Sequence, residues 1–263
     1  MRVLVLMLLS AAAIQMSGCA TSPTGRTQLM LVSEEQAISA SQKAYATTVQ
    51  ELGKEGKILK DTAATRRVEQ ITRRLIAEAQ KMRPKTARWQ WDVKVIDDSE
   101  QVNAWCMAGG KMAIYTGLLE KLQPTDDELA QVMGHEISHA LANHTAERMS
   151  TALATSLGVA VIGAATDSDA ATMGGAALAA TLAIELPNSR DGESEADEIG
   201  MELAARAGYE PMAAVTLWQK MGEAGGATPP QFLSTHPSPA NRQQRLRKLA
   251  QKWRPVYEQS RSR

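Results

Sequence analysis

The stretch Gly134-His135-Glu136-Ile137-Ser138-His139 is the part of this sequence that best predicts its fold and chemistry. On a helix, His135 and His139 are four positions apart and lie one above the other on the same face. Two imidazoles so placed can bind one tetrahedral Zn²⁺ ion. Glu136 follows the first histidine and can take a proton from a water held by that metal. Since the chain has four histidines in 263 residues, chance rarely produces this spacing.

The residues before and within this motif predict that a helix carries it. Thr125-Asp126-Asp127-Glu128 follows Pro124 and matches a capping box, in which the Thr and Glu side chains each accept a backbone N–H of the first turn. Its acidic residues also suit the positive end of the helix dipole. Apolar side chains then continue at helical spacing through the motif: Leu129, Val132, Met133, Ala140 and Leu141. Both histidines therefore belong to one helix.

A third metal ligand is predicted in the segment 189–197. Glu193 and Asp197 are four residues apart, so Glu193 can bind the metal while Asp197 hydrogen-bonds a ligating imidazole from behind. Glu195 points away from their shared face and is predicted to be solvated. The alternative is an acidic helix start that the helix dipole favours on its own. The histidine pair upstream favours the metal-binding interpretation.

Two further histidines lie outside this pattern. His144 is five residues after His139, which turns it off the ligand face, and we predict a structural or surface role for it. His236 precedes Pro237 in a predicted loop. It can be a turn residue, it can approach the zinc, or it can approach the oxyanion of the reaction. The sequence leaves these three roles of His236 open.

The N-terminal part of the chain is predicted to lie outside the folded domain. Residues 1–18 have the pattern of a signal peptide, with a positive residue followed by an apolar run. The run ends in Met16-Ser17-Gly18-Cys19, which resembles a bacterial lipobox and predicts lipidation of Cys19; a plain secretory signal is the alternative. Residues 21–27 are polar, with Pro and Gly, and predict that residues 19–32 are a flexible, lipid-anchored tether. Residues 33–263 form the predicted domain.

The composition of the chain argues against one class of protein and limits the disulfides it can form. A formal net charge of zero with 22% charged residues argues against a nucleic-acid binder, which is usually basic. The chain has two cysteines. If Cys19 carries lipid, Cys106 has no partner for a disulfide, and we predict that it is a small buried residue.

The pattern of apolar residues predicts a mostly helical α+β fold. A capping box at Ser33 opens a helix to about Leu52, and a second helix runs from about Asp61 to Met82. The period then changes to two from Trp89 to Val95, and two more short strands follow at 102–107 and 112–115. We therefore predict a small sheet beside the helix that carries the two histidines.

Two segments leave alternatives open. An edge strand of this sheet, near the metal, can pair with an extended peptide through its backbone, or it can be an ordinary sheet edge. Residues 150–186 are rich in Ala and Gly and contain two apolar runs, each short for a membrane span. They are predicted to be packed or mobile helices over the active site, or segments that contact a membrane.

The two motifs together resemble a known family. His135-Glu136-x-x-His139 with Glu193-x-x-Ala196-Asp197 resembles the gluzincin metallopeptidases that include CAAX prenyl endopeptidases and HtpX, with the closest fit to LoiP-type lipoproteins. The resemblance covers about Ser33 to the C-terminal helix. It implies a zincin-type core in which one Zn²⁺ is held by His135, His139 and Glu193, with Glu136 as the catalytic base and Asp197 behind a ligand.

The resemblance also implies roles for residues outside the two motifs. Asn103 and Ala104, with Gly109 and Gly110, fall on the presumed substrate-side strand, and the segment 116–119 also matches. Family members commonly have Pro where this chain has Ala108. His236 and Arg242 are implied to help at the oxyanion. A loop histidine in the place of His236 can also sit on the zinc as a gate.

The function implied is that of a zinc-dependent endopeptidase, which cleaves misfolded or misassembled envelope proteins by attack of a zinc-bound water. Its implied location is the outer membrane, where it is lipid-anchored and faces the periplasm, with outer-membrane assembly machinery as a partner. The rival is a gated or inactive protease that acts as an outer-membrane protein assembly factor or chaperone. The sequence leaves both open, because the ligands and the base would be identical.

Overall fold

The computed structural model describes residues 18–166, 181–182, 184–224, 230–237 and 241–262. Most of the predicted signal peptide and the centre of the apolar segment 150–186 lie outside these residues. In the part of the chain that is described, no helix combines the length and the apolar character that a bilayer span requires.

A four-stranded sheet forms one layer of the domain. Its strands are β3 (Ile58–Leu59), β4 (Asp92–Ile96), β5 (Ala104–Met107) and β6 (Lys111–Tyr115), in the order β3-β4-β6-β5. Strands β4 and β6 are parallel, and the other two pairs are antiparallel. The predicted small sheet is therefore confirmed.

Two details of the sheet differ from the prediction or refine it. Strand β4 begins later than the alternating pattern suggested, because residues 84–88 form a 3₁₀ turn and Trp91 Nε1 donates to the Thr86 carbonyl. Gly109 and Gly110 connect β5 to β6 with φ of 79° and 77°. Such positive φ values favour glycine. A side chain at Gly110 would also collide with the Trp91 ring, at 2.3 Å.

Helices make up most of the described chain. Helix α4 begins at the predicted capping box, where Thr125 Oγ1 and the Glu128 carboxylate accept each other's backbone N–H, and α1 begins with the same arrangement at Ser33. The mostly helical α+β fold is thus confirmed. The helices are α1 (Glu34–Lys54), α2 (Ala63–Met82), α3 (Thr116–Leu122), α4 (Asp126–Leu141), α5 (His144–Thr166), α6 (Arg190–Arg206), α7 (Ala213–Ala224), α8 (Gln231–Thr235) and α9 (Arg242–Arg261).

Helix α4 is the centre of the fold. From Glu128 to Leu141 every one of its residues is buried, between the sheet, α2, α6 and α7. It crosses α6 closely at Gly134 and Gly200. A Cβ atom on Gly200 would lie 2.8 Å from the backbone nitrogen of His135, so only glycine fits there without moving a helix. This crossing sets the histidines of α4 against the acids of α6.

The segment after Cys19 folds onto the domain. Strands β1 (Cys19–Thr21) and β2 (Thr27–Leu29) pair antiparallel, and we call residues 19–29 the N-terminal hairpin. Gln28 Nε2 donates to the Ala142 carbonyl at 2.8 Å. The prediction that residues 19–32 are a flexible tether is therefore wrong for this part, because its polar side chains bind buried acceptors. Cys19 is exposed, and its lipidation stays a prediction.

Candidate metal centre

Four side chains meet at one buried point between α4, α6 and the segment that follows α8. His135, His139, Glu193 and His236 each place one ligand atom there, and these four atoms all lie within 4.8 Å of one another. The structure thus brings together the three predicted ligands and His236, whose role the sequence left open. All four residues are at least 94% buried.

The spacing of the three predicted ligands suits a tetrahedral ion. The His135 and His139 Nε2 atoms are 3.1 Å apart. Glu193 oxygens lie 3.2 Å from the first and 3.3 Å from the second. Tetrahedral Zn²⁺ with bonds of about 2.0–2.1 Å separates its ligand atoms by roughly 3.3–3.4 Å. Glu193 Oε2 faces His135 and Oε1 faces His139, so the two nitrogens and the nearer carboxylate oxygen of each are held close to the edge length of such a site.

The other nitrogen of His135 faces a carboxylate. Its Nδ1 lies 3.2 Å from Asp197 Oδ1, which also accepts from Arg242 at 2.6 Å. Since a carboxylate only accepts hydrogen bonds, this contact places the imidazole proton on Nδ1. The lone pair on Nε2 is then directed at the cluster. Asp197 thus stands where the sequence predicts it, behind a ligating imidazole.

The other nitrogen of His139 faces a second histidine. His139 Nδ1 lies 2.7 Å from His144 Nδ1, and His144 Nε2 lies 3.1 Å from Glu195 Oε2. His144 is buried, in agreement with a structural role. The prediction that Glu195 is solvated is wrong, because only 4% of it is exposed and the N-terminal hairpin covers it.

The chemistry of the donor set fits a divalent cation. Both Glu193 oxygens are buried, and neither has a hydrogen bond of normal geometry to any described residue. They face the nitrogens of two imidazoles, and one of them, Oε2, also lies 3.3 Å from Arg242 Nη1. A buried carboxylate beside imidazole lone pairs is unfavourable unless a cation joins them. A Zn²⁺ ion would satisfy all three groups at once.

The pKa values of the ligands in the metal-free protein show how strongly these groups affect one another. Burial disfavours charge on His135, but Glu193 and Asp197 raise the pKa of His135 to about 9. Burial holds the pKa of His139 well below its usual range. Although Glu193 is buried, the neighbouring imidazoles keep its pKa well below the usual value. The raised pKa of His135 means that a metal ion would bind here in competition with a proton.

Glu136 borders the cluster on the side of strand β5. It is 2% exposed, and burial together with the charge of Glu193 raises its pKa to about 8. The backbone N–H of Cys106 in β5 acts against this rise, because it favours the ionised carboxylate and so lowers the pKa of Glu136. Cys106 itself is buried and free, as predicted. Glu136 is thus positioned by the sheet as well as by its own helix.

His236 lies against Glu136 rather than in an open loop. Its Nε2 is 3.3 Å from Glu136 Oε1, and its ring stacks on Phe232 with 4.1 Å between ring centres. Burial lowers the pKa of His236 to about 4. The Phe232 N–H donates to the Val102 carbonyl beside β5, which fixes α8 next to the sheet. His236 therefore stands where it can contact both a metal and the base.

Arg242 is placed behind the ligands. Its guanidinium contacts Glu193 at 3.3 Å and Asp197 at 2.6 Å, and it lies over the Trp218 ring at 3.5 Å. This position holds the two carboxylates of α6 in place. The implied role of Arg242 at the oxyanion stays a prediction.

The residues implied for the substrate side fall into two groups. Asn103 and Ala104 are buried at the start of β5, the outermost strand of the described sheet. Gly109 and Gly110 form the β5–β6 turn and pack against Ile38 and Trp91. The glycines are therefore explained by turn geometry, and their contact with substrate stays a prediction.

The sequence of this chain is similar to those of known metallopeptidases. A model described as Peptidase family M48 matches residues 62–250. Mitochondrial metalloendopeptidase OMA1 of Arabidopsis thaliana is 38% identical over 156 residues, which cover 59% of this chain and 31% of that relative. Metalloendopeptidase OMA1 of Bos taurus is 32% identical over 238 residues, covering 86% and 45%. Beta-barrel assembly-enhancing protease of Escherichia coli is 31% identical over 172 residues, covering 62% and 35%.

These similarities confirm some predictions and overturn one. That the chain is a metallopeptidase is confirmed by the match to family M48, while its predicted place among CAAX prenyl endopeptidases, HtpX and the LoiP-type lipoproteins stays a prediction. This chain spans less than half of the length of each of the three relatives. The predicted location, lipid-anchored at the outer membrane and facing the periplasm, is wrong by this comparison, because the OMA1 relatives are named as mitochondrial proteins.

Proposed function

Since this chain belongs to peptidase family M48, we propose that it is a zinc-dependent endopeptidase that works at the cluster of His135, His139 and Glu193. The observation that carries the proposal is the meeting of these three side chains, with 3.1–3.3 Å between the Nε2 atoms and from each Nε2 atom to the nearer Glu193 oxygen, and with Glu136 beside them. When bound, zinc supplies a Lewis acid for the peptide carbonyl and for the attacking water. His236 or a water would complete four ligands.

Glu136 is proposed as the catalytic base. It takes a proton from the attacking water as the new C–O bond forms at the scissile carbon. It then passes that proton to the amide nitrogen as the C–N bond breaks. The raised pKa of Glu136 suits the second step, because the carboxyl group holds the proton until the amide nitrogen takes it. Asp197 and Arg242 keep the ligands in position during the cycle.

The proposed substrates are unfolded or misassembled proteins, in particular envelope proteins. Two features support this class. One relative is named a beta-barrel assembly-enhancing protease. Strand β5 is an edge strand of the described sheet, and its Cys106 N–H favours the ionised form of the base Glu136. An extended peptide that pairs with β5 would bring its backbone carbonyl near the cluster. A chain must be unfolded locally to bind in this way.

Glu136→Gln tests the chemistry apart from the metal. The amide keeps the size of the side chain but cannot accept a proton from water. We expect the variant to bind one zinc per chain and to fold normally, yet to lose cleavage of an unfolded model protein such as casein. Glu120→Gln, an exposed change on α3, is the control. Cleavage by Glu136→Gln at the wild-type rate would overturn the role of the base.

A second candidate function is supported by the place of His236. Its ligand atom lies within the cluster and next to Glu136, so at rest it would exclude the attacking water. The protein would then be a gated protease, or an assembly factor whose site stays closed. His236→Ala separates these roles. A gate predicts faster cleavage, and help at the oxyanion predicts a loss of about 10²–10³-fold.

The chaperone function has its own signature. If neither the wild type nor His236→Ala cleaves unfolded proteins while both bind zinc, the peptidase proposal fails and the assembly factor is favoured. Suppression of the aggregation of an unfolded outer-membrane protein, unchanged by Glu136→Gln, would then be the expected activity.

A further inference from the structure

The N-terminal hairpin contacts the domain through one arginine that binds two acids. Arg26 Nη1 and Nη2 donate to the two oxygens of Glu147, both at 2.6 Å. Its Nε donates to Glu195 Oε2 at 3.0 Å. Thr24 Oγ1 donates to the other Glu195 oxygen at 2.7 Å. The hairpin therefore supplies two of the donors that hold the buried Glu195 carboxylate, 169 and 171 residues away in sequence.

Glu195 stands at one end of an unbroken series of polar contacts to the metal centre. Its Oε2 lies 3.1 Å from His144 Nε2, and His144 Nδ1 lies 2.7 Å from His139 Nδ1. His139 Nε2 is one of the ligand atoms of the cluster. His144 is 4% exposed, so no bulk water competes for these contacts. The hairpin is thus two side chains away from a metal ligand.

The order of donors and acceptors in this series is determined by its outer end. An ionised Glu195 only accepts, so His144 must carry its proton on Nε2. In a neutral His144, Nδ1 is then an acceptor. It can only receive a hydrogen bond from His139 Nδ1–H, which leaves Nε2 of His139 without a proton and able to bind a metal.

We propose that Thr24 and Arg26 are positioning residues for the metal centre. By holding Glu195, the N-terminal hairpin fixes the tautomer and the ring orientation of His139 through His144. This inference rests on the proposed function, since it takes the cluster to be a metal site. It adds that the affinity for metal depends on the docking of the first residues after Cys19.

The N-terminal hairpin does not need the contacts of Thr24 and Arg26 with Glu195 in order to stay attached to the domain. Gln28 Nε2 donates to the Ala142 carbonyl and to Glu147 Oε2, both at 2.8 Å, and so holds the hairpin at the end of α4 and on α5 without Thr24 or Arg26. Without Thr24 and Arg26, however, a nearly buried Glu195 keeps His144 as its main polar partner. A poorly paired buried carboxylate is free to turn towards water. His144 and His139 would then lose their fixed orientation.

The experiment compares Thr24→Val and Arg26→Gln with the wild-type full chain. Zinc dissociation constants are measured by competition with a chromophoric chelator, and thermal unfolding of the metal-free proteins is followed in parallel. We expect Thr24→Val to raise the dissociation constant about tenfold and Arg26→Gln to raise it up to about 100-fold. Arg206→Gln, which removes an exposed ion pair to Glu202 on the same helix as Glu195, is the control and should match the wild type.

A purely structural role gives a different result. It would lower the unfolding temperature of the metal-free variants but leave the zinc dissociation constant unchanged. Dissociation constants within twofold of the wild type in both folded variants would overturn the inference. Thr24→Val changes one hydroxyl, so it serves as the test if Arg26→Gln does not fold.

A spectroscopic readout separates this inference from the proposed function. The chain has four histidines, so ¹⁵N chemical shifts of the metal-free protein can be assigned to each ring. We expect a protonated Nδ1 on His139 and a protonated Nε2 on His144, and mixed tautomers in both variants. The opposite tautomers in the wild type would contradict the inference. If the wild type shows the expected tautomers but binds no zinc, the proposed function fails and the hairpin contact stands.

Discussion

The two imidazoles of the cluster are supported in different ways. Behind His135, a single carboxylate, Asp197, is held by Arg242, and all three side chains are buried in the centre of the domain. Behind His139, support passes through His144 and a carboxylate to the N-terminal hairpin, whose Arg26 is 23% exposed. Both arrangements direct a bare Nε2 at the metal.

This difference indicates which of the two supports can change without a change of fold. The His135 side depends on two helices that pack in the core, so it can change only if the fold changes. The His139 side ends at a short hairpin held by side-chain hydrogen bonds at the surface. Local openings of a domain begin where few apolar contacts hold a segment. We therefore expect the two sides to respond differently to mutation and to pH.

The largest effect on zinc binding is expected when the helices that carry His135, His139 and Glu193 are moved apart. In Gly200→Ala the added Cβ would lie 2.8 Å from the His135 nitrogen, so α4 and α6 must separate. We expect loss of measurable zinc binding and a destabilisation of about 1–3 kcal/mol. Gly222→Ala on α7 meets nothing within 4 Å and should bind zinc normally. For each variant, zinc content is measured to follow binding, and urea unfolding is measured to follow stability. Normal zinc binding by Gly200→Ala would show that the crossing does not position the ligands.

A smaller effect is expected when only the His135 side is altered. Asp197→Asn offers His135 Nδ1 an amide in place of a carboxylate and weakens the contact of Arg242. We expect the zinc dissociation constant to rise about 100-fold, at least as much as in Arg26→Gln. Asp191→Asn, an exposed change in the first turn of α6, is the control. If Asp197→Asn affects zinc less than Arg26→Gln does, the core side is not the firmer support and the comparison is reversed.

The smallest effect is expected for the N-terminal hairpin, where loss of Arg26 should change the free energy of unfolding in a way that depends on pH. Burial raises the pKa of Glu147, but hydrogen bonds from Arg26 and Gln28 hold it below the usual 4.5. A group with a depressed folded-state pKa stabilises the protein above its unfolded pKa and loses this effect as pH falls through the folded pKa. Arg26→Gln should therefore cost about 1–2 kcal/mol at neutral pH.

Urea unfolding at several pH values measures this prediction. The difference in unfolding free energy between Arg26→Gln and the wild type should shrink as pH falls below about 4.5, where Glu147 becomes protonated in the unfolded chain. Arg206→Gln should show a small difference throughout. A difference that stays constant into the acid range would mean that Arg26 does not stabilise the fold through its acids.

The sequence predicted those features that depend on neighbours in the chain. The capping box at Thr125 and the spacing of Glu193 and Asp197 are local, so helical geometry sufficed. The same geometry shows that Glu195 leaves the face of Glu193, but it does not show what covers the other face. That cover is the hairpin, and a solvated Glu195 was the wrong conclusion for this reason.

The close helix crossing was also beyond the sequence pattern. Gly200 has no turn or motif around it, and its role depends on the backbone of His135 more than sixty positions earlier. The place of His236 depends likewise on α8 binding the carbonyl of Val102. A small residue at a helix contact position, opposite Gly134, is the signal that could have indicated the crossing.

The most direct test of the account is the zinc bound per chain by the wild type and by Glu193→Ala at equal free zinc. The wild type should bind one zinc, and cleavage of casein should be lost with a chelator and return with zinc. Glu193→Ala should remain folded and bind almost none at a concentration that saturates the wild type. One zinc per chain with unchanged affinity in Glu193→Ala would contradict the central claim, because the cluster would then not be the metal centre.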